Sequence, residues 1–298
     1  MIQQIISNSY KKAKRIPLNS TSKFIFFSDC HRGDNSYTDD FSHNGNIYYH
    51  ALNTYYENEY TYIELGDGIE LWENHNFKEI FAAHQNVFML LRKFHLKNKL
   101  HILWGNHDMV LKSDKKAKKL LGSYFDKITS TTKDLLQGLT LNEAIILDVK
   151  GFKKNILLIH GHQADFFNYV LWKWSRFLVR TLWKPLQILG IKDPTSPAKN
   201  FKELIKVEKR LKKWILANNN QMVIAGHTHR PRFPKPEELP YFNDGSCVHP
   251  RSITGIEIVA MQISLIKWHT ITKKDGTLQI VKTVLEGPRN IADFLNNN

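Results

Sequence analysis

The stretch Ile102-Leu103-Trp104-Gly105-Asn106-His107-Asp108 joins a short apolar run to a glycine and to side chains that can bind a metal or a proton. Four other segments repeat this arrangement, in which a strand-like apolar run leads into aspartate or histidine: Asp29 to His31, Gly66-Asp67, His160 to His162, and Gly226 to His229. Open α/β sheets bind ligands at the edge where their strands have their carboxyl ends, so we expect the five segments to meet there. The pattern therefore predicts a metal centre.

In this order the segments resemble the calcineurin-like metallophosphoesterase superfamily over residues 29–229. The Gly-Asn-His-Asp and Gly-His-Thr-His blocks are the most specific parts of the resemblance. It implies an α/β fold, with a two-sheet sandwich of the metallophosphoesterase type flanked by helices. It also implies that the chain is an enzyme, a hydrolase acting on phosphoester or pyrophosphate bonds.

Three further features are similar to the bacterial UDP-2,3-diacylglucosamine pyrophosphatase branch of the superfamily. They are Gly66-Asp67-Gly68-Ile69-Glu70 running into Trp72, the string from Gly226 to Pro231, and a helical insert just before that string. The branch has arginine where this chain has His107, which follows the general phosphoesterase pattern. Membership of the branch implies a substrate with acyl chains.

The resemblance implies seven ligands for two divalent metal ions: Asp29, His31 and His229 on one, Asn106, His160 and His227 on the other, and Asp67 bridging both. Two cations about 3.5–4 Å apart generate hydroxide near neutral pH and hold phosphoryl oxygens for in-line displacement. Imidazole and carboxylate ligands suit transition metals, and we expect manganese first, with iron, zinc, cobalt or nickel as alternatives. His162 remains an alternative to His160, although the strand-end position favours His160.

His107 has no metal role in this scheme. Asn106 places it near the site, where an imidazolium could donate a proton to the leaving alkoxide or stabilise the phosphoryl charge. A carboxylate that orients it would keep it protonated. Glu70 and Asp108 are the candidates, and superfamily analogy favours Glu70.

The composition is that of an ordinary globular protein, with 298 residues of which 42% are hydrophobic and 23% charged. The formal net charge of +14 is unusual and favours an anionic phosphorylated substrate, a nucleic acid or an acidic lipid surface. Nucleic acid is the weaker candidate because no nucleic-acid module is recognisable. Arg32 and Arg230, each next to a predicted ligand, are expected to be placed to touch the substrate.

Cysteine content and hydropathy suggest a cytoplasmic setting. Cys30 and Cys247 are too few for a disulfide framework. The N-terminus lacks the apolar core of a signal peptide, and no run of about eighteen uncharged apolar residues predicts a membrane span. Strand alternation points Cys30 away from its neighbours, so we do not expect it to bind metal.

Alternating strands and helices predict one domain over residues 1–298, largely parallel in its first half. The expected elements are strand 23–28, helices near 43–58 and 77–97, a hairpin of strands 144–149 and 156–159, and β-rich segments 255–271 and 277–285. Residues 163–220 interrupt this plan as a predicted helical cap. The cap should contain a helix over 166–184 that Pro185 kinks or ends, then a linker at 193–197 and a second helix over 199–217.

The 166–184 helix has two interpretations. Lys173, Arg176, Arg180 and Lys184 fall along one face, and aromatic and aliphatic residues crowd the rest. Either the helix packs as a buried helix with a solvated face, or it lies in the membrane interface with its cations against anionic lipid. The second interpretation would make the protein peripheral on the inner face of the membrane.

Together these observations predict a dinuclear metal-dependent phosphohydrolase that uses metal-activated hydroxide on a phosphoester or pyrophosphate bond, with a nucleotide-linked lipid as one candidate substrate. The rivals among enzymes are a broad-specificity phosphodiesterase or phosphatase and a nuclease. A rival of another class is a non-catalytic metal-bound interaction scaffold.

Overall fold

The computed structural model describes residues 1–183 and 201–296. Their strands are β1 (Lys14–Leu18), β2 (Lys23–Phe27), β3 (Thr61–Glu64), β4 (Leu100–Ile102), β5 (Ser123–Asp126), β6 (Thr131–Asp134), β7 (Ala144–Val149), β8 (Ile156–Ile159), β9 (Met222–Ala225), β10 (Tyr241–Asn243), β11 (Ser252–Val259), β12 (Gln262–Thr272) and β13 (Leu278–Asn290). Their α-helices are α1 (Ile2–Lys12), α2 (Gly45–Glu57), α3 (Phe77–Ala83), α4 (Gln85–Leu96), α5 (Asp114–Leu121), α6 (Phe166–Tyr169), α7 (Trp172–Leu178), α8 (Phe201–Ala217) and α9 (Ala292–Leu295).

Most of the strands belong to two sheets. The first has the order β1-β7-β8-β9-β10, and the second has the order β13-β12-β11-β2-β3-β4. The neighbours β2, β3 and β4 are parallel, as are β8, β9 and β10, while β11, β12 and β13 pair antiparallel. The predicted two-sheet α/β fold is confirmed.

Alternating side chains explain why inner strands of each sheet are buried on both faces. In β2, Phe24 and Phe26 pack in the core between the two sheets, and Ile25 and Phe27 pack on the opposite face under α2 and α4. Strand β9 does the same, with alternate residues in the central core and under α1 and α8. A period of two sends successive residues to opposite faces, so these strands are apolar at nearly every position.

The loops that follow the parallel strands bond to one another. Past β2 and β3, the Asp29 and His31 amides donate to the carbonyls of Gly66 and Asp67, at 3.1 and 2.8 Å. Past β8 and β9, the Gly226 amide donates to the His160 carbonyl at 2.9 Å. Between the sheets, the His227 amide past β9 donates to Oδ2 of Asp29 past β2 at 2.8 Å, so the strand ends of both sheets meet at one shared edge.

Outside the predicted cap, the predicted elements match in most places and differ in two. The single helix predicted over 77–97 is two helices, α3 and α4, because His84 leaves helical geometry and bonds Oδ2 of Asp39 at 2.9 Å. The single segment predicted over 255–271 is the antiparallel pair β11 and β12, which turns at Ala260 and Met261 with positive φ at both. The hairpin of β7 and β8 is as predicted.

Helices also occupy the described part of the predicted cap, residues 163–183 and 201–220. The predicted 166–184 helix is broken after α6, resumes as α7, and continues in a π-helical turn, Val179–Trp183. Lys184, Pro185 and the linker predicted at 193–197 lie outside the described residues. Among the residues described, no helix is both long and apolar enough to cross a bilayer.

Candidate metal centre

Asp29, His31 and His229 form the first group of predicted ligands at this edge. Their ligand atoms all lie within 4.8 Å of one another. Nε2 of His229 is 3.0 Å from Oδ1 of Asp29 and 3.3 Å from Nε2 of His31. These are the three residues that the family resemblance assigned to one metal ion.

Asp67, His160 and His227 form the second group, again with ligand atoms within 4.8 Å. Oδ1 of Asn106 lies 3.3 Å from Nε2 of His160. Nδ1 of His160 donates to the Leu65 carbonyl at 2.8 Å, which leaves Nε2 directed at the group. The residues assigned to the second ion are thus also together.

Asp67 lies between the two groups. Its Oδ2 is 3.1 Å from Nε2 of His160 and 3.8 Å from Nε2 of His31. Its Oδ1 accepts from the His107 amide at 2.8 Å. A Cβ at Gly105 would come within 2.2 Å of that Oδ1, so only glycine fits there.

Five of the predicted ligands have left-handed backbone. The φ angles of Asp29, His31, Asp67, His227 and His229 lie between 48° and 68°. Each such residue costs on the order of 1 kcal/mol, and strain of this kind concentrates at functional sites. Aspartate and histidine tolerate this region better than most residues, which suits the types found here.

The surroundings of Asp29 fit a cation. Its Oδ1 is buried and has no hydrogen-bond partner of good geometry among the described residues, yet ring nitrogens of His229, His31 and His160 lie 3.0, 3.7 and 3.9 Å away. Burial alone would raise the pKa of Asp29, but the imidazoles of His229 and His160 hold it well below its usual value. Imidazole nitrogens converging on an ionised carboxylate are a donor set that suits a divalent transition metal.

The Glu70 carboxylate contacts the rings of both His31 and His107. Its Oε2 is 3.0 Å from Nδ1 of His31 and 2.6 Å from Nδ1 of His107, the latter an ion-pair contact without linear hydrogen-bond geometry. Trp72 stacks on the His107 ring, with centroids 4.4 Å apart and planes 22° apart. Burial lowers the pKa of His107, but the charges of Glu70 and Asp67 outweigh it, and the pKa is raised.

The sequence from residue 22 to residue 231 matches the family model described as calcineurin-like phosphoesterase. The chain belongs to the calcineurin-like phosphoesterase family. The matched region includes both ligand groups, Glu70 and His107.

The solved structures to which this phosphoesterase-family chain is similar are distant from it. Vacuolar Protein Sorting 29 from Cryptosporidium parvum is 14% identical, with 89% of this chain and 98% of that one covered and a TM-score of 0.39. Vps29 from Entamoeba histolytica complexed with Zn²⁺ is 14% identical, with coverage of 89% and 99% and a TM-score of 0.38. A putative 5'-nucleotidase from Staphylococcus aureus is 13% identical, with coverage of 88% and 53% and a TM-score of 0.39. No curated protein matches the sequence.

Asp108 holds loops together in this member of the phosphoesterase family and does not orient His107. Its two oxygens accept from the amides of Gly105 at 2.6 Å and Gly68 at 2.9 Å. Burial, with the charge of Asp67, raises the pKa of Asp108 to about 7. Of the two carboxylates considered for His107, the structure places Glu70 beside the ring.

His162 lies next to His160 and outside the second ligand group of this phosphoesterase site. Its ring is 5.3 Å from the His160 ring and packs against Trp104 and Tyr169. Both ring nitrogens are buried without a hydrogen-bond partner among the described residues. His160, and not His162, is the residue grouped with Asp67 and His227.

The expectation that Arg32 touches substrate is wrong. Its guanidinium is fully buried, with Nη2 at 2.7 and 2.8 Å from the two carboxylate oxygens of Glu64. Arg230 instead lies over the ring of Phe201, 4.9 Å from its centroid, at the start of α8. Cys30 is buried in the core under α2, as the alternation predicted.

Three residues of the phosphoesterase site were not predicted from the sequence: Ser28, Asp165 and Asp244. Oγ of Ser28 lies within hydrogen-bond distance of carboxylate oxygens of both Asp29 and Asp244, and burial with the charge of Asp29 raises the pKa of Asp244 well above its usual value. Asp165 lies against His227. Asp244 follows the short strand β10, so the same strand-then-aspartate pattern could have found it. Asp165, five residues past His160, follows no strand directly.

Proposed function

We propose that this protein is a dinuclear metal-dependent phosphohydrolase that cleaves a phosphoester or pyrophosphate bond. The observation that supports this best is the position of Asp67, whose carboxylate lies within 3.8 Å of ring nitrogens from both ligand groups. A carboxylate shared between two sets of imidazoles is what a bridged pair of cations needs. The family membership points the same way.

Asp29, His31 and His229 would hold one cation, and Asn106, His160 and His227 the other, with Asp67 between them. Manganese is the first candidate, and iron, zinc, cobalt and nickel suit the same donors. Two bound divalent cations supply Lewis acidity toward phosphoryl oxygens and lower the pKa of water.

His107 is placed to act on the leaving group. Glu70 and Asp67 raise its pKa against the opposing effect of burial, which favours the protonated ring. Trp72 stacked on one side of the ring restricts its rotation. The His107 side chain keeps 21% of its surface exposed, whereas that of Glu70 keeps 8%, so His107 is the member of the pair that a substrate can reach. We assign it proton donation to the leaving alkoxide or phosphate.

The cap favours an amphiphilic substrate. Nε and Nη2 of Arg180 donate to the carbonyls of Trp72 at 2.8 Å and Leu71 at 3.0 Å, so the cap is tied to the loop that bears Glu70. On the same helical segment, Trp174 is 68% exposed and Phe177 56% exposed. Apolar side chains beside a phosphoryl site suit a substrate with a charged phosphate end and an acyl end, such as a nucleotide-linked lipid.

From the net charge we also infer where the protein works. A charge of +14 attracts an anionic phosphorylated substrate and an anionic membrane surface alike. We place the protein in the cytoplasm, with the cap against the inner face of the membrane. Nucleic acid is the weaker candidate because no nucleic-acid module is recognisable in the sequence.

The rival functions are a broad phosphodiesterase or phosphatase, a nuclease, and a metal-bound scaffold without activity. Metal-free protein loaded with Mn²⁺ should be assayed on an aryl phosphomonoester, an aryl phosphodiester, UDP-2,3-diacylglucosamine and single-stranded DNA. We expect hydrolysis of the pyrophosphate substrate, lost in Asp67→Ala.

Other patterns of activity would favour one of the rival functions. Activity on the aryl diester alone would favour a phosphodiesterase, and activity on DNA a nuclease. If the loaded protein hydrolyses none of the four, the scaffold is the better description. Activity that survives in Asp67→Ala would indicate contamination or another site.

A further inference from the structure

The two carboxylate oxygens of Asp165 contact different partners, one the N-terminus of a helix and the other a predicted metal ligand. Oδ1 accepts from the amides of Phe167 at 3.1 Å and Asn168 at 3.3 Å, which caps the N-terminus of α6. Oδ2 lies 3.4 Å from Nε2 of His227 and accepts from the Asn168 side chain at 2.7 Å. The residue is 5% exposed, so water competes little for these contacts.

The backbone holds Asp165 firmly in place. The turn before it is closed by the Ala164 and Asp165 amides, which donate to the carbonyls of Gly161 and His162 at 3.0 and 2.8 Å. From α8, Nη1 of Arg210 donates to the Ala164 carbonyl at 2.9 Å. The carboxylate is therefore fixed from both its own turn and a neighbouring helix.

An imidazole that binds a metal through one nitrogen usually donates the other N–H to a carboxylate or carbonyl, which fixes the ring and raises its basicity. His160 already shows this arrangement, with Nδ1 on the Leu65 carbonyl. In His227, Nε2 faces Asp165, which leaves Nδ1 for the group with Asp67 and His160.

We propose that Asp165 is a positioning residue of the metal centre, which orients His227 and strengthens it as a ligand. This inference rests on the metal centre of the proposed function, but not on the reaction. Because the acceptor is a carboxylate rather than a carbonyl, its effect on His227 should exceed that of Leu65 on His160. Asp165 also caps α6, so the first α-helix of the cap and the second ligand group share one side chain.

Asp165→Asn separates the two roles. Asparagine caps helices as well as aspartate does, so Oδ1 and α6 are kept, while an amide nitrogen in place of Oδ2 cannot accept from His227. Asn168→Ala is the matched control, since it removes the other partner of Oδ2 and leaves the contact with His227. Each metal-free protein is titrated with Mn²⁺ by calorimetry, and its thermal midpoint is measured without metal.

We expect two Mn²⁺ sites in the wild type. In Asp165→Asn one site should weaken by about 10- to 100-fold and the other stay unchanged, with the metal-free midpoint kept. Asn168→Ala should leave both affinities unchanged. If Asp165→Asn fails to fold, Asp165→Ser, which keeps a capping hydroxyl, undergoes the same titration.

Wild-type affinity at both sites in the Asp165 variant would overturn the inference alone. Two bound Mn²⁺ in a wild type without hydrolysis would overturn the proposed reaction and leave Asp165 its role. A wild type that binds no Mn²⁺ would overturn both.

Discussion

Oε2 of Glu70 lies 2.6 Å from Nδ1 of His107, and the same oxygen lies 3.0 Å from Nδ1 of His31. One carboxylate thus serves a residue with a proposed proton-transfer role and a predicted metal ligand. Burial would raise the pKa of Glu70, but the charge of His107 holds it well below its usual value. Glu70 is therefore ionised at every pH at which the protein would work, and it favours a protonated His107.

His107→Asn should affect turnover according to the leaving group. A poor leaving group such as an alkoxide needs a proton in the transition state, so kcat should fall by about 10²- to 10⁴-fold. A nitrophenolate leaves without that help, so its kcat should change far less. Steady-state kinetics on a matched alkyl and aryl pair would check this. Equal losses on the two substrates would mean that His107 stabilises charge and does not donate a proton.

Glu70→Gln should shift the pH dependence of kcat. The raised pKa of His107 depends on Glu70, and a proton donor is lost as pH rises through its pKa. With glutamine the pKa falls, so the alkaline limb of kcat should shift to lower pH. The profile of the same variant in the His107→Asn background should show no such shift. An unchanged alkaline limb in Glu70→Gln would assign that limb to another group.

Metal affinity should rise with pH. Burial lowers the pKa of His160, but the charges of Asp67 and Asp29 raise it to about 9, so the ring is protonated in the metal-free protein at neutral pH. A metal must displace that proton, and affinity should rise about tenfold per pH unit for each proton displaced, up to about pH 9. Calorimetric titrations at pH 6 and pH 8, each in two buffers of different ionisation enthalpy, give both affinity and protons released. No proton release at either pH would contradict the assignment of His160 as a ligand.

The buried pair of Arg32 and Glu64 should matter for stability. Glu64→Gln leaves the Arg32 charge buried without its counter-ion, which typically costs about 3–5 kcal/mol of unfolding free energy. Asp148→Asn is the matched control, because Asp148 pairs with Arg15 at the exposed surface, where a pair contributes about 0–1 kcal/mol. Urea unfolding of the metal-free variants would compare them. Similar losses in both would mean that the buried pair is solvated or replaceable.

The strand-end segments could be predicted because their signal is local. An apolar run that leads into aspartate or histidine stands in a few consecutive residues, and parallel pairing then brings the ligands together. Other features depend on distant partners. Arg32 turns inward because Glu64 is on the neighbouring strand, and the break at His84 depends on Asp39, 45 residues away. Asp165 meets His227 only after β8 and β9 pair, so its role has no local signature.

Exposed aromatic side chains of the cap should bind membranes. Trp174 and Phe177 are exposed, and burial of each in a lipid interface would contribute about 1.5–3 kcal/mol. Trp174→Ala with Phe177→Ala should therefore lower binding to anionic vesicles by about a hundredfold or more in a flotation assay. Binding by the wild type should also weaken with added salt, since the attraction of Lys173 and Arg176 to anionic headgroups is screened.

Phe125→Ala serves as the control for this experiment. Phe125 is 59% exposed, but it lies on β5, in the small hairpin with β6 and outside the cap. Its loss should leave vesicle binding unchanged if the cap is the lipid-binding surface. Wild-type protein that fails to float with anionic vesicles even at low salt would instead mean that these aromatics bind the substrate alone or pack against another protein.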